Sequence, residues 1–439
     1  MRLFGAFCLI FLLSGCAVRG KGILLSVEPA TPLDERDLQS HCDLGDQAAC
    51  ALAAPEESAV KPPPKFAIIQ GVAVPDRAVF AALLPYDSAI AWFIYDRELN
   101  RLWKLHDSRK QKRPGSGWYV QRIEARELEP DRSYELLAGD KEGKLVEARI
   151  FRTLARNGKL KFAVVSGLAS HSVEEANQRL SAVLKKEMAL IVFTGGNVNA
   201  ALLHGKVPEK RGAALDHFFE CHIAARNSLA FAKERRLVPV AATWSEKEFG
   251  QPGGDRTFSY KDQAREVFDM FFPIWADEST IVNGPGVSKI FNLGGQSIVL
   301  LDDRSFRVPD KSLSGCEAAS KNVKSEISSN CKVNAPIAQA PLFRFGTMQV
   351  EWAFRQSLRA QQVVWLISAE PWLGLYQFGT QKPVGYADWI SSISSRPASP
   401  RLSFSEASAL VEESQGGHAS LTKIDHLGTN LSIEDIPPP

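Results

Sequence analysis

KFAVV at residues 161–165, apolar from Phe162 onward, and ALIVF at residues 189–193 contain two continuous apolar runs, and they decide the fold of the longer part of this chain. Uninterrupted apolar runs of this length are typical of strands that are covered on both faces. Val173–Lys186, between them, has the spacing of a helix. A strand, a helix and a second buried strand predict an α/β domain whose helices pack on the sheet.

The alternation of strands and helices continues toward the C-terminus. Further strands are predicted at Leu237–Ala242, Lys289–Leu293, Ser297–Leu301 and Val363–Ile367. Helices are predicted near Ala213–Arg235, Tyr260–Phe272 and Thr347–Ala360. We therefore place one α/β domain at residues 156–427. The polar tail, residues 428–439, ends in three prolines and is predicted to be disordered.

Residues 66–155 have a different pattern, in which short alternating apolar runs are separated by turn residues. Candidate strands are Phe66–Val72, Val79–Leu84, Ala89–Tyr95, Trp118–Ile123, Tyr134–Ala138 and Val146–Phe151. Six or seven strands in about 90 residues favour an all-β sandwich of the fibronectin or immunoglobulin type. LEPDRSY at residues 128–134 fits the corner of such domains, in which the hydroxyl of Tyr134 bonds to the backbone. Residues 55–65 contain four prolines and predict an extended linker.

The N-terminus has the pattern of a secretory signal. Arg2 precedes an apolar run that is too short to cross a bilayer as a helix, and the run ends in LSGC at Cys16. This tetrapeptide resembles the lipobox of bacterial lipoproteins. The resemblance implies removal of residues 1–15 and attachment of lipid to Cys16, with several acyl chains giving a stable membrane anchor. We therefore expect a lipid-anchored protein of the bacterial cell envelope, and Ala17 favours the outer membrane where there are two; the alternative is a plain signal peptide.

Export also makes disulfide bonds plausible. Four of the remaining cysteines allow three pairings, and proximity in the chain favours Cys42–Cys50 and Cys316–Cys331. The spacing of the first pair, with a central Gly-Asp, resembles that of cysteine-rich helical-hairpin repeats. We therefore expect a small Cys-bridged hairpin within residues 16–54; a metal site is the alternative, although the short Cys-x2-Cys hooks of zinc ribbons are missing. Cys221 is left unpaired.

Composition excludes several classes of protein. Hydrophobic residues make up 45% of the 439 residues and charged residues 23%, as in soluble globular proteins. Lys and Arg number 52 against 50 Asp and Glu, a net charge of +2. This balance argues against nucleic acid as a partner. The oligomeric state stays open.

Polar segments follow four of the predicted strands, at residues 166–168, 194–199, 243–250 and 301–307. Ligands of open α/β sheets bind at the carboxyl ends of strands. The order and spacing of these segments resemble the PhoD-like alkaline phosphatases of the calcineurin-like metallophosphatase superfamily, over about residues 66–389. The matching framework residues are Trp244, Phe249, Gly250, Leu301, Asp302, Arg304, Arg307, Gly346, Gln349 and Trp352. The resemblance implies an α/β metallophosphatase-like sandwich preceded by a fibronectin-like domain.

The metal ligands of that family do not match. Gly196 stands where the family has its bridging aspartate, and Ser245-Glu246-Lys247-Glu248 stands where the family has Asp-Asp-His-Asp. A two-metal phosphatase needs converging carboxylate, Asn and His donors, whereas a lysine offers only positive charge. We therefore predict a pseudoenzyme without a metal cofactor that acts as a binding or assembly module. Its vestigial cleft would contain Asn197 and residues 245–248, and the charge of Lys247 could attract a phosphorylated or other anionic ligand.

Two alternatives stay open. His171, Asn197 and Glu246 could form an altered, mononuclear site for a divalent metal, which would make the chain an active phosphomonoesterase or phosphodiesterase. A weaker hypothesis is a glycan or lipid binder that uses late aromatic residues, namely Trp365, Trp372, Tyr376, Phe378, Tyr386 and Trp389. Asp302 and Arg304 are expected to form a structural ion pair, since both belong to a segment of the family pattern that holds no ligand.

Overall fold

A computed structural model describes most of the chain between residues 61 and 309 and shorter parts beyond. The described residues are 61–105, 110–112, 116–156, 160–186, 188–202, 210–275, 280–294, 296–309, 345–359, 363–369, 401–404, 409–412, 420–424 and 431–435. The signal sequence with Cys16 and the predicted pairs Cys42–Cys50 and Cys316–Cys331 lie outside these residues. Among the helices of the described ranges, none is long and apolar enough to cross a membrane.

Two four-stranded antiparallel sheets form a β-sandwich at the N-terminal side. The first has the order β1-β2-β6-β5, with β1 at Ala67–Gln70, β2 at Ala78–Pro85, β5 at Lys110–Lys112 and β6 at Trp118–Ala125. The second has the order β4-β3-β7-β8, with β3 at Ala91–Asp96, β4 at Arg101–Lys104, β7 at Ser133–Gly139 and β8 at Leu145–Arg152. The sequence pattern does not predict β4 and β5, because both are short and contain few apolar residues.

The core of the sandwich lies between its two sheets. The rings of Phe80 and Phe151, one from each sheet, have their centroids 5.0 Å apart, and Tyr134 stacks on Phe151 at 5.6 Å. The hydroxyl of Tyr134 accepts a hydrogen bond from the backbone N–H of Glu129 at 2.7 Å. The bond to the backbone that the corner motif predicts for Tyr134 is therefore present.

The remainder of the chain alternates strands and helices. A parallel sheet has the order β11-β10-β9, with β9 at Phe162–Val165, β10 at Leu190–Phe193 and β11 at Val240–Ala242. A mixed sheet runs in sequence order from β12 to β17, at Ile281–Asn283, Lys289–Leu293, Gln296–Leu300, Val363–Ile367, Arg401–Phe404 and Ala409–Glu412. A hairpin follows, with β18 at Ser420–Ile424 and β19 at Leu431–Asp435. The helices are α1 at Val173–Leu184, α2 at Arg211–Ser228, α3 at Glu246–Phe249, α4 at Lys261–Phe271 and α5 at Thr347–Arg359.

These elements stack in four layers, because each buried strand presents apolar side chains to both faces. Ile191 and Phe193 of β10 pack with the helical layer of α1, α2 and α4. Leu190 and Val192, on the opposite face, pack against the mixed sheet. The far face of the mixed sheet is covered by α5, through Trp352. The order is therefore helices, parallel sheet, mixed sheet, helix.

The β-sandwich and the layered domain are joined by a common core and by backbone pairing. Ile69 and Leu83, on the outer face of the first sandwich sheet, belong to the same apolar cluster as the helical layer. The Ile150 N–H of β8 donates to Arg235 O at 2.8 Å, and Leu237 N–H donates to Ile150 O at 2.8 Å. A segment of the second domain therefore extends a sheet of the first.

Most element boundaries differ from the predictions by one or two residues, and three differences are larger. Helix α2 ends at Ser228 and not at Arg235, because the chain becomes extended at Leu229 and Ala230 N–H donates to the side chain of Asn177. Strand β11 begins at Val240 and not at Leu237, because Leu237 pairs with β8 instead. Residues 431–435 of the tail predicted to be disordered form β19, where LSIED alternates apolar and polar residues as strands do.

Candidate functional site

The carboxyl ends of four strands meet on one side of the layered domain. Thr243 Oγ1, after β11, donates to the carbonyl of Leu301, after β14, at 2.7 Å. The N–H of Gly167, after β9, donates to the carbonyl of Gly195, after β10, at 3.0 Å. The structure therefore brings together the four polar segments that the sequence predicts to share an edge.

The carboxylate of Glu248 lies at the centre of this site. Its Oε1 accepts hydrogen bonds from the backbone N–H groups of Asn197 (2.5 Å) and Val198 (3.0 Å). Its Oε2 accepts at 3.0 Å from the N–H of Gly196 and from both the N–H and the hydroxyl of Ser245. Glu248 is 1% exposed. Donors of the protein itself therefore fill the hydrogen-bond acceptor positions of this buried carboxylate with five bonds.

The loop after β10 can surround Glu248 because of its two glycines. Gly195 and Gly196 have φ values of +99° and +66°, in the left-handed region that favours glycine. A Cβ at Gly195 would lie 2.6 Å from both Cβ and N of Ser245. Successive N–H groups in such a turn form a nest, a concave site for an anion. In this protein the anion in the nest is a carboxylate of the chain itself.

Ser245 and Glu248 also form the capping box of α3. Ser245 Oγ accepts from the N–H of Lys247 at 3.3 Å and from that of Gly196 at 3.0 Å. Glu248 completes the box by accepting from the N–H of Ser245. In a capping box the two side chains satisfy backbone donors at the helix start reciprocally. Helix capping therefore explains the sequence Ser-Glu-Lys-Glu locally, independently of any catalytic or metal-binding role.

Asn197 and Lys247 occupy different environments in the site. Asn197 is 3% exposed, and within the described residues neither its Oδ1 nor its Nδ2 has a hydrogen-bond partner. Lys247 is half-buried and donates from Nζ to the hydroxyl of Ser170, which follows β9. The ammonium group therefore lies at the mouth of the site, whereas the amide of Asn197 lies inside.

The other two residues of the altered metal site have different partners. Glu246 Oε2 accepts from the backbone N–H of Gly253 at 2.8 Å. His171 Nε2 lies 2.7 Å from Arg179 Nη1, and its Nδ1 lies 3.9 Å from Glu175 Oε2. An imidazole nitrogen that accepts from a guanidinium has its lone pair engaged and is a poor metal ligand in that state.

The residues present do not fit a pair of divalent metals. Gly196 supplies no side chain, Glu248 is saturated with hydrogen bonds, and Lys247 places positive charge at the mouth. Across the described ranges, no group of three or more His, Cys, Asp or Glu residues is arranged to hold a metal ion. The donors of a two-metal centre, which are oxygen and imidazole ligands around both ions, are thus not brought together there.

Asp302 has a structural role, but not the expected ion pair with Arg304. Its Oδ1 accepts from the indole N–H of Trp244 at 2.8 Å and from the backbone N–H of Arg304 at 3.0 Å. Its Oδ2 accepts from the N–H of Val287 at 3.1 Å. The guanidinium of Arg304 lies instead 3.4 Å from Asp303. The expected pairing is wrong because the aspartate carboxylate turns toward backbone donors, which charged oxygens bond strongly.

A buried histidine–arginine pair that the sequence patterns above do not single out lies behind the site, formed by His222 and Arg226 on α2. Both are 1% exposed, and the guanidinium of Arg226 lies 4.5 Å from the ring centroid of Phe272. Burial lowers the pKa of Arg226 to about 10, while the charge of Glu248 opposes this shift. Burial, followed by the charge of Arg226, holds the pKa of His222 well below its usual 6.5. Their i, i+4 spacing on an apolar helix face is the signal that could reveal the pair.

The remaining predicted residues have simpler outcomes. Cys221 is a free cysteine, and burial raises the pKa of its thiol. Trp365 packs edge-to-face on Phe162 at 5.0 Å, between the two sheets of the layered domain. The other late aromatic residues, from Trp372 to Trp389, lie outside the described residues.

Comparison with known proteins gives only weak likenesses. No family model matches the chain, and no curated protein matches it. The sensor domain of the anti-sigma factor RsgI4 of Pseudobacteroides cellulosolvens is 13% identical over 21% of this chain and 75% of that one, with a TM-score of 0.18. The vertebrate-specific, perforin-like Astrotactin-2 is 9% identical over 48% and 37% of the two chains, with a TM-score of 0.17. A cyclomaltodextrinase is 6% identical over 42% and 41%, with a TM-score of 0.14. Similarities at this level define neither fold nor function.

Proposed function

We propose that this chain is a lipid-anchored protein of the bacterial cell envelope whose layered domain is a PhoD-like metallophosphatase domain without metal catalysis. The anchor follows from the lipobox that ends at Cys16. The domain assignment follows from the framework motifs and from their location at converging strand ends. In this proposal the protein acts as a binding or assembly module.

The environment of Glu248 is the observation that carries the loss of catalysis. Five hydrogen bonds hold its carboxylate in the nest formed after β10. Coordination of a metal by Glu248 would remove acceptors from several buried N–H groups, and each unsatisfied group costs about 1–3 kcal/mol. The chain therefore uses this carboxylate for structure.

The test of this proposal is metal content measured together with turnover. Purified full-length protein should contain no stoichiometric metal and should hydrolyse p-nitrophenyl phosphate and bis-p-nitrophenyl phosphate only at background rates, insensitive to chelator. Because each 1.4 kcal/mol of transition-state stabilisation is worth about a factor of ten in rate, a lost two-metal centre leaves very little activity. Chelator-sensitive hydrolysis that Glu246→Gln or Asn197→Ala abolishes would establish the altered metal site instead.

Lys247 supports an anionic ligand at the mouth of the site. Its ammonium reaches across to Ser170, so charge and a hydroxyl donor lie side by side. Titration calorimetry with inorganic phosphate should show weak binding that Lys247→Gln reduces at least threefold. Lys185→Gln, an exposed lysine at the end of α1, is the matched control and should leave binding unchanged. Equal loss in both variants would mean nonspecific attraction and would refute a role for Lys247.

The membrane anchor has a separate test. The mature protein should fractionate with membranes and incorporate labelled palmitate, and Cys16→Ser should release it or leave it unprocessed. Unchanged labelling of the Cys16→Ser variant would refute the anchor without bearing on the cleft.

A further inference from the structure

Strands β4 and β5 form one edge of the β-sandwich, called here the β4–β5 edge. β4 is the last strand of one sheet and β5 is the last strand of the other. At the opposite edge, β1 and β8 adjoin the layered domain, where Gly71 pairs with Val240 and Ile150 pairs with Arg236. The β4–β5 edge therefore lies on the side of the sandwich away from this joint.

The β4–β5 edge is strongly basic. Residues 101–113, which include both strands and the link between them, contain six Lys or Arg and one Asp. Their net charge is +5, against +2 for the whole chain. Arg101, Lys104 and Lys110 are exposed. The count covers every charged residue of the segment, so no acidic residue within it offsets the excess.

The acidic residues of the neighbouring strands are bonded to other cations. Asp96, opposite Arg101 in the strand register, is 1% exposed and pairs with Arg132 at 3.0 Å. Glu98, in the turn before β4, pairs with the same guanidinium at 3.3 Å. Glu135, on β7, pairs with two basic side chains that precede β4 in the chain. The positive charge of the edge is therefore available to an anionic partner outside the chain.

Apolar side chains lie beside these charges. Leu99, in the turn before β4, is 48% exposed. Trp103, on β4, is half-buried, and its ring centroid lies 6.4 Å from that of Tyr134. Lys and Arg interact with the headgroups of anionic lipids, while Leu and Trp enter the boundary below the headgroups. Charged and apolar groups are thus combined as on proteins that lie on a lipid surface.

We propose that the β4–β5 edge docks on the anionic phospholipid surface of the membrane that holds the chain. This inference rests on the proposed function in one respect, namely that lipid at Cys16 keeps the chain at a membrane. Docking would orient both domains, with the layered domain on the side away from the lipid. The Glu248 site takes no part, so the docking is independent of the metallophosphatase assignment.

The test uses the mature chain, residues 16–439, with Cys16→Ser, so that no acyl chain contributes to binding. Sedimentation should show saturable binding to vesicles that contain phosphatidylglycerol and none to pure phosphatidylcholine. Because salt screens charges, binding should fall at least tenfold when NaCl rises from about 0.05 to about 0.5 M. Each Lys or Arg near an anionic surface strengthens binding by roughly a factor of five. Arg101→Gln, Lys104→Gln and Lys110→Gln combined should therefore weaken it at least tenfold.

A second triple variant is the matched control. Lys185→Gln, Lys210→Gln and Arg256→Gln combined remove the same charge from exposed positions of the layered domain and should change binding less than twofold. Equal losses in the two triple variants would overturn the proposal, as would equal binding to vesicles without phosphatidylglycerol. Tighter binding of duplex DNA than of the anionic vesicles would also overturn it, in favour of a nucleic-acid surface.

The structural alternative is that these charges only keep an edge strand from pairing with other chains. The β4–β5 variant would then aggregate while its binding to anionic vesicles stayed unchanged, which overturns the docking. The salt dependence and lipid selectivity of the unsubstituted mature chain keep the test decisive even where the variant fails to fold. Palmitate labelling at Cys16 tests the anchor separately. Labelled protein whose unlipidated form ignores anionic vesicles would overturn the docking and retain the anchor.

Discussion

The indole N–H of Trp244 donates to Asp302 Oδ1 at 2.8 Å, and both residues are fully buried. Trp244 follows β11 of the parallel sheet and Asp302 follows β14 of the mixed sheet. One hydrogen bond therefore ties the carboxyl ends of two separate sheets, beside the loop that surrounds Glu248. Because Asp302 also accepts from backbone N–H groups, the bond fixes the indole in a defined orientation. Such a fixed framework supports the site whether or not the site has retained any chemistry.

Glu248→Ala should destabilise the protein by about 3–5 kcal/mol, because it leaves several buried donors without an acceptor. Glu246→Ala, two residues earlier, is the matched control, since Glu246 is less buried and its carboxylate accepts only from Gly253 among the bonds described. Its cost should stay below about 1 kcal/mol. Urea unfolding followed by circular dichroism measures both. Equal, small costs would show that the Glu248 carboxylate does not hold the strand-end loop together.

Gly195→Ala should destabilise the protein by more than about 2 kcal/mol, because the residue has φ +99° and a Cβ there would lie 2.6 Å from Ser245. Gly212→Ala, at the start of α2, meets no atom within 4 Å. That control should be neutral or stabilising by about 0.5–1 kcal/mol, since alanine favours the helix. Thermal unfolding distinguishes the two, and a neutral Gly195→Ala would contradict the close approach of the β10 loop to α3.

Arg149→Ala should cost about 3–5 kcal/mol, because it leaves Glu147 as an unpaired buried charge. The two side chains are completely buried and joined at 2.9 Å, and Arg149 also donates to carbonyls of Phe66 and Glu234 across the domain joint. Burial lowers the pKa of Arg149, while Glu147 opposes the shift. The exposed pair of Arg152 with Asp131 is the control, and Arg152→Ala should cost about 0.2–1 kcal/mol. Equal costs in chemical denaturation would mean that the buried pair contributes no more than a surface pair.

Stability should fall as the pH drops below about 6.5, because His222 is buried and its folded-state pKa lies well below the unfolded value of 6.5. Below pH 6.5 the unfolded chain binds a proton that the folded chain does not bind. The slope from this residue is at most about 1.4 kcal/mol per pH unit. His222→Leu should remove that slope between about pH 6.5 and pH 5, whereas His171→Gln, on the surface loop, should retain it. An unchanged slope in His222→Leu would show that other groups cause the acid sensitivity.

The sequence indicates most of the elements because local patterns specify them. The apolar runs at 161–165 and 189–193 form β9 and β10, and Ser172 begins α1 with the capping box that its spacing to Glu175 allows. The corner at Tyr134 can likewise be predicted from the sequence, since it depends on residues a few positions apart. Whether the domains belong to the proposed families stays a prediction.

What only the tertiary structure decides is which partner each polar side chain meets. Glu248 resembles a replaced metal ligand in the sequence, yet the fold places it against three N–H groups of a loop about 50 residues earlier. The Asp302 carboxylate bonds to the indole of Trp244 and not to the guanidinium of Arg304, and residues 235–237 join a sheet of the other domain. Apolar periodicity fixes secondary structure because it acts over a few residues. Hydrogen bonds to buried carboxylates depend on long-range contacts, because the donors converge only after the layers have packed.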